Sequence, residues 1–131
     1  MKRVIRYSLF FAIGAIGYTA IELLWRGRTH WSMGIAGGLC FIIFSVVAKH
    51  LKEKPLLLKA ALIALSITVV EFAFGIVFNV ILGMKIWDYS NVPFNIMGQI
   101  CPSFTLLWGV LAIIFLPLAN IINERIEERY R

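Results

Sequence analysis

One face of a single apolar segment carries most of the residues that could do chemistry in this chain. Between residues 60 and 84 the only formal charge is Glu71, and polar or small side chains recur around it every three or four positions. That spacing places them on one side of a helix. The face consists of Thr68, Glu71, Gly75, Asn79 and Gly83. A carboxyl, an amide and a hydroxyl so arranged could bind a ligand or hydrogen-bond to one another.

The segment around Glu71 is long enough to cross a bilayer, which takes about 20 apolar residues in a helix. Glu71 would lie near the middle of the hydrocarbon, where an acidic side chain costs about 2.5–3.5 kcal/mol on insertion scales. Such side chains usually face a bundle interior or a water-filled cavity. Two interpretations stay open: Glu71 serves a proton-coupled or cation-binding site, or it is an inert, protonated packing residue.

Composition places the whole chain in a membrane. Of its 131 residues, 60% are hydrophobic and only 15% are charged, whereas soluble domains carry about 25% charged residues. Four apolar spans are expected, at residues 7–25, 32–48, 60–84 and 95–122, followed by a charged tail at 123–131. The predicted fold is an all-α, integral membrane four-helix bundle. It forms one domain over residues 1–131 and lies in the cell membrane as a multi-pass protein.

The basic residues predict an orientation for this bundle. If the spans alternate in direction, ten of the 13 Lys and Arg residues fall on one side, and the positive-inside rule makes that side cytoplasmic. Both termini are then cytoplasmic, and the loops at 26–31 and 85–94 face outward. The net charge of +6 does not indicate a nucleic-acid partner, because these residues cluster at the ends of apolar runs. The ten are Lys2, Arg3, Arg6, Lys49, Lys52, Lys54, Lys59, Arg125, Arg129 and Arg131.

Further polar residues are expected at the outer ends of the helices. Glu22 and Arg26 are four residues apart and can form an ion pair at the membrane edge. The outer loop is rich in aromatic and turn-forming residues, for which an interfacial belt and a turn are the plain alternative. Polar residues then continue at helical spacing down the fourth span. We predict an outward-facing pocket with Glu71 at its floor, built from Glu22, Arg26, Glu71, Asn79, Trp87, Asp88, Tyr89, Asn95 and Gln99.

Glycines are expected to bring the helices close together. Gly34 and Gly38 have the GxxxG spacing that permits close approach of membrane helices, and Gly75 and Gly98 are added to them as packing positions. Pro102 is expected to interrupt the fourth span and free a backbone carbonyl near Gly98.

Catalytic and metal chemistry find little support. Cys40 and Cys101 both fall inside apolar runs without metal-ligand spacing, so no metal and no cofactor are predicted. No metalloprotease, hydrolase or phosphate-loop motif occurs, and no catalytic residue is predicted. A lipid-directed enzyme using Glu22, His30 and Asp88 as acid and base groups is the lowest-ranked possibility.

Several segments together resemble a known family. They are residues 24–33 (LWRGRTHWSM), residues 36–41 (AGGLCF), Glu71, and residues 87–101 (WDYSNVPFNIMGQIC). The likeness extends from about residue 7 to residue 111, and it is to the CmpB-like family of small bacterial membrane proteins classed as type IV ABC-transporter permeases. The resemblance implies a polytopic membrane protein and favours functional roles for Glu22, Glu71, Trp87, Asp88, Tyr89, Asn95 and Gly98.

Two functions follow as the leading hypotheses. The first is a transporter or permease component in the lipid bilayer, whose ligand is an ion, a small molecule or a lipid. Because one small bundle hardly encloses a path, two copies packed through their glycine faces as a homodimer could form it. The alternative is a lipid- or partner-binding membrane module without transport activity.

Overall fold

A computed structural model gives the fold and describes residues 1–130. Four helices follow one another: α1 (Lys2–Arg26), α2 (Trp31–His50), α3 (Leu56–Phe74) and α4 (Pro102–Arg129). A π-helical segment, Gly75–Ile81, continues α3 directly. Within the described residues the only β pairing is an isolated bridge between Ile96 and Ile100. The prediction of an all-α fold is confirmed. Arg131, one of the predicted cytoplasmic charges, lies outside the described residues.

All four helices are long and apolar enough to span a membrane, with α3 and its π-helical segment forming one span of 26 residues. This confirms a multi-pass membrane protein in a lipid bilayer. α1 and α2 extend beyond their predicted spans at both ends, α3 begins earlier than predicted and α4 ends later. The third span ends at Ile81, before the predicted residue 84. The charged tail continues α4 as far as Arg129.

Glycines bring α1 and α2 together, which gives this pair the most intimate packing in the bundle. A Cβ added at Gly14 would lie 2.5 Å from the carbonyl oxygen of Gly37, and one at Gly38 would lie 2.7 Å from the ring of Phe11. Gly34 is less crowded, with Thr19 Oγ1 at 3.2 Å from such a Cβ. Small residues thus let the two backbones approach, as in other membrane helix pairs.

α3 and α4 form the second helix pair, and both of them also contact α2. The core is centred on fully buried side chains such as Phe10, Ile63 and Leu116. In contrast, α1 makes no close backbone contact with α3 and touches α4 only slightly. A gap therefore remains between α1 and the α3–α4 pair.

The two ends of the chain meet at one end of the bundle. Lys2 and Arg6 both form ion pairs with Glu127 near the end of α4. One turn deeper, the buried hydroxyl of Ser45 donates to Asn123 Oδ1 at 3.0 Å. Both termini therefore lie at the same end of the bundle. That this end faces the cytoplasm remains a prediction from the basic residues.

The predicted start of the fourth span at residue 95 is wrong, since α4 begins at Pro102. Phe94, Met97 and Gly98 have φ values of 61°, 54° and 73°, and a right-handed helix excludes such angles. The polar residues 95–99 therefore belong to a folded loop and do not follow one face of α4. Pro102 occupies the first turn of its helix, where no intrahelical N–H is needed, so it frees no carbonyl near Gly98.

Candidate functional site

A cavity of about 290 Å³ fills the gap beside α1. All four helices contribute to its wall, and so does Trp87 of the loop between α3 and α4. Most of the wall is aliphatic or aromatic, and among the described residues Glu71 is its single formally charged one. Gly17 of α1 also lines it, and a Cβ there would meet nothing within 4 Å. The site is thus an apolar cavity with one carboxyl in its wall.

Two neutral donors hold the Glu71 carboxyl. The Tyr89 hydroxyl donates to Oε2 at 2.8 Å, and the Trp108 indole N–H donates to Oε1 at 3.3 Å. Among residues 1–130 no Lys, Arg or His nitrogen lies within ion-pair distance of this carboxyl. Glu71 therefore has hydrogen bonds without a compensating positive charge.

Tyr89 reaches Glu71 because the loop at 82–101 folds back against the bundle. The ring of Tyr89 stacks on Phe104 of α4, with centroids 4.7 Å apart and planes inclined by 17°. Its backbone N–H donates to the Gly98 carbonyl at 2.7 Å. Burial of the phenol and the neighbouring carboxylate of Glu71 both raise the pKa of Tyr89 above its ordinary value of 10.0. The hydroxyl is therefore a protonated donor at physiological pH.

Asn79 and Gln99 fasten this loop to the π-helical segment. The Asn79 amide donates to Gln99 Oε1 at 2.8 Å and its carbonyl accepts from the N–H of Ile86 at 2.6 Å. The Gln99 backbone carbonyl accepts from the Trp87 indole N–H at 3.0 Å. Backbone groups of an irregular segment need partners outside regular helix hydrogen bonds, and these side chains satisfy those of Ile86, Met97 and Gln99.

Gly75 provides the space for that arrangement. A Cβ at this position would lie 2.6 Å from Gln99 Oε1 and 3.1 Å from the Trp87 ring. The winding widens here, since the Leu82 N–H bonds to the carbonyl of Val77, five residues earlier. Such π-helical turns are frequent at functional sites.

Asp88 and Asn95 shape the outer part of the loop. Asp88 Oδ1 accepts from the N–H of Ser90 at 2.9 Å, and hydrogen bonds from Ser90 hold the pKa of this exposed carboxyl below its usual value. The Asn95 amide donates to the Val92 carbonyl, while its oxygen accepts from the Gly98 N–H. A Cβ at Gly98 would approach Asp88 Oδ1 to 3.0 Å. The side chains of Asp88 and Asn95 thus stabilise turns of the loop by hydrogen bonds to nearby backbone groups.

Glu22 and Arg26 form a separate pair at the end of α1. The carboxyl of Glu22 is buried, and both of its oxygens lie 3.4 Å from Arg26 Nη1. The other guanidinium nitrogen, Nη2, donates to the Ile86 carbonyl at 2.8 Å, which links α1 to the loop. Neither residue lines the cavity.

The structure therefore divides the nine predicted pocket residues among three places. Glu71 and Trp87 line the cavity, and Glu22 pairs with Arg26. The other five lie in the network that folds the loop: Asn79, Asp88, Tyr89, Asn95 and Gln99. His30, proposed as a base, instead accepts the Ser32 N–H at the start of α2.

Sequence reasoning missed Trp108 and Tyr18, which both line the cavity. A tryptophan inside an apolar span carries an N–H that must find an acceptor, and that signal could have directed attention to Trp108. Tyr18 carries no such signal in the sequence, because its place in the cavity wall depends on how α1 packs. Within residues 1–130 no cluster of three His, Cys, Asp or Glu side chains could hold a metal.

A family model described as "Putative ABC-transporter type IV" matches residues 8–130. No curated protein and no solved structure matches the chain significantly.

Proposed function

Since the chain belongs to this type IV ABC-transporter family, we propose that it is a membrane-spanning component of a transporter whose ligand-binding group is Glu71. The cavity beside α1 is the binding site in this proposal. We also propose that the protein lies in the plasma membrane with both termini in the cytoplasm, as the distribution of Lys and Arg predicts.

The proposal depends on one observation, namely the position of the Glu71 carboxyl and the groups that surround it. It lies in the wall of a cavity and accepts hydrogen bonds from two neutral groups, without an ion-pair partner among residues 1–130. An acidic side chain at membrane depth is costly and usually belongs to a ligand or ion pathway. If this position served only packing, a glutamine would fill the same space without the free-energy cost of placing an acidic group in the membrane.

The size of the chain supports more than one copy in the working assembly. Four helices form one cavity, and the loop at 82–101 packs against its Glu71 wall. We propose that a second copy of the bundle completes the path across the bilayer, since a homodimer is the simplest closed arrangement.

A solute-exchange measurement tests the proposal without an external energy source. Purified protein is reconstituted into vesicles loaded with unlabelled sodium, methylamine or glycerol, and entry of the labelled solute is followed. We expect at least one solute to exchange faster than in protein-free vesicles. Glu71→Gln should lower that rate about tenfold or more, which corresponds to about 1.4 kcal/mol of lost stabilisation.

Glu53→Gln is the matched control, because it removes one negative charge from an exposed position between α2 and α3. It should exchange solute at the wild-type rate. Circular dichroism and gel filtration establish that both variants are folded. Equal rates in wild-type and protein-free vesicles would contradict the proposal, and so would an unchanged rate in folded Glu71→Gln.

The apolar wall of the cavity favours a second candidate, a lipid-binding module without transport. An acyl chain would fill the cavity without using Glu71. In that case native mass spectrometry from a mild detergent should show a retained lipid that Gly17→Phe displaces, since the new ring would project into open space. Glu71→Gln should leave the lipid in place, and this separates the two candidates.

A further inference from the structure

The carboxyl in the cavity wall favours a ligand with a positive charge. Glu71 is the only Asp, Glu, Lys, Arg or His among the lining residues that the structure describes, and its two hydrogen-bond donors, Tyr89 and Trp108, are neutral. A single positive charge on the ligand would therefore be compensated. An anion would meet the carboxylate without any Lys, Arg or His in the wall to balance it.

The rest of the wall selects against a bare metal ion. Calcium and magnesium need about six oxygen ligands, but among residues 1–130 the side-chain oxygens lining this cavity belong only to Glu71 and Tyr18. A hydrated ion would lose water without replacement. A cation that carries its own apolar substituents avoids this loss, because it has little hydration to give up and buries apolar surface on binding.

Aromatic rings provide a second attraction for such a cation. Tyr18, Phe74, Trp87 and Trp108 line the cavity together with Glu71. Ring faces attract a desolvated cation, and tryptophan does so most strongly. A cavity of about 290 Å³ lies near the lower end of the range for ligand sites, which is about 300–1,000 Å³. It suits a small molecule rather than a complete lipid.

We propose that the cavity binds small monovalent organic cations with apolar substituents, such as substituted amines and quaternary ammonium ions, through the Glu71 carboxylate and the surrounding aromatic rings. This inference rests on the proposed function only where it concerns transport of the cation. Binding of the cation to the cavity does not require that the protein transports it.

Two molecules of the same shape test the proposal directly. Benzyltrimethylammonium carries the charge, and neopentylbenzene has carbon in place of its nitrogen and is neutral. Binding of each to the protein in lipid nanodiscs is measured by equilibrium competition. Indole ¹⁵N resonances report occupancy, since the side-chain N–H of Trp108 contacts Glu71 and that of Trp87 contacts the Gln99 carbonyl.

We expect the cation to bind wild-type protein at least about tenfold more tightly than its neutral counterpart and to shift the Trp108 resonance. Glu71→Gln should remove this preference, while Glu53→Gln should keep it. Tetramethylammonium, which has the charge but no ring, should bind more weakly than benzyltrimethylammonium. Equal or tighter binding of neopentylbenzene to the wild type would overturn the proposal, as would unchanged cation affinity in folded Glu71→Gln.

If Glu71→Gln does not fold, the wild-type comparison of the two isosteres still decides, and Glu71→Asp provides a second variant that should retain the preference for the cation. Failure of this inference is separable from failure of the transport proposal. Glu71-dependent cation binding with no exchange in vesicles would support the ligand class and contradict transport. Glu71-dependent exchange of glycerol but not of methylamine would support transport and overturn the ligand class.

Discussion

Glu22 and Glu71 are two carboxyls on apolar helices with opposite surroundings. Glu22 is only 5% exposed and lies beside the Arg26 guanidinium, so its charge is balanced within the chain. Glu71 lies in a cavity wall and has only a phenol and an indole as partners. The first carboxyl is satisfied by an ion pair that also holds the loop, whereas the second still lacks a positive charge. The ligand-binding role proposed for Glu71 depends on this difference, since the Glu22 charge already has a partner within the chain.

The largest effect on stability is expected when the balanced pair is broken. Arg26→Met leaves the Glu22 carboxyl buried without its cation and the Ile86 carbonyl without its donor. Breaking a fully buried pair costs about 3–5 kcal/mol; because the Arg26 side chain is 29% exposed, we expect about 2–3 kcal/mol. Denaturant unfolding in mixed micelles measures the loss.

The double variant Glu22→Gln with Arg26→Met is the control for that measurement. It removes the uncompensated charge and should recover part of the lost stability. A single Arg26→Met variant as stable as the wild type would mean that Glu22 is not balanced by Arg26, and the contrast with Glu71 would fail.

A smaller loss of stability is expected when the loop that carries Tyr89, a hydrogen-bond donor to Glu71, is crowded. Gly75→Ala places a Cβ 2.6 Å from Gln99 Oε1, so Gln99 and Trp87 must move, and overpacking of this kind costs about 1–3 kcal/mol. Amide hydrogen exchange should accelerate across residues 86–101, since their anchor to Asn79 is weakened.

Gly17→Ala is the matched substitution, because a Cβ there meets nothing within 4 Å. It should leave exchange in the loop unchanged and stabilise α1 by about 0.5–1 kcal/mol, as alanine is the better helix former. Unchanged exchange in both variants would show that Gly75 does not determine how the loop is seated.

The smallest effect concerns the ionisation of Tyr89. Burial and the Glu71 carboxylate raise the pKa of this phenol, and burial is the larger cause. In Glu71→Gln the pKa of Tyr89 should fall, so that the phenol ionises at lower pH than in the wild type, yet it should stay above 10.0 because burial persists. Phenolate absorbance, with a Tyr89→Phe subtraction, follows the titration. An unchanged pKa would mean that Glu71 carries no charge next to Tyr89.

Much of this architecture was predictable because it depends on local composition. Runs of apolar residues bounded by Lys and Arg predicted four membrane helices, and residues 1–130 contain four helices long and apolar enough to span a membrane. The start of α4 was not predictable in the same way. Asn95 and Gln99 have a spacing compatible with a helix, but the positive φ values of Phe94 and Met97 come from turns stabilised by contacts that hydropathy does not encode.

For the candidate site, too, one part was predictable from local sequence and another part was not. The isolation of Glu71 in an apolar run is a property of neighbouring residues, and the chain alone was enough to single it out. Its partners Tyr89 and Trp108 lie 18 and 37 positions away, and the cavity lies where α1 packs on α2 without close backbone contact with α3. Helix formation and membrane insertion are governed by free energies that sum over adjacent residues. The pairing of distant side chains depends on how whole helices pack, which only the folded molecule reveals.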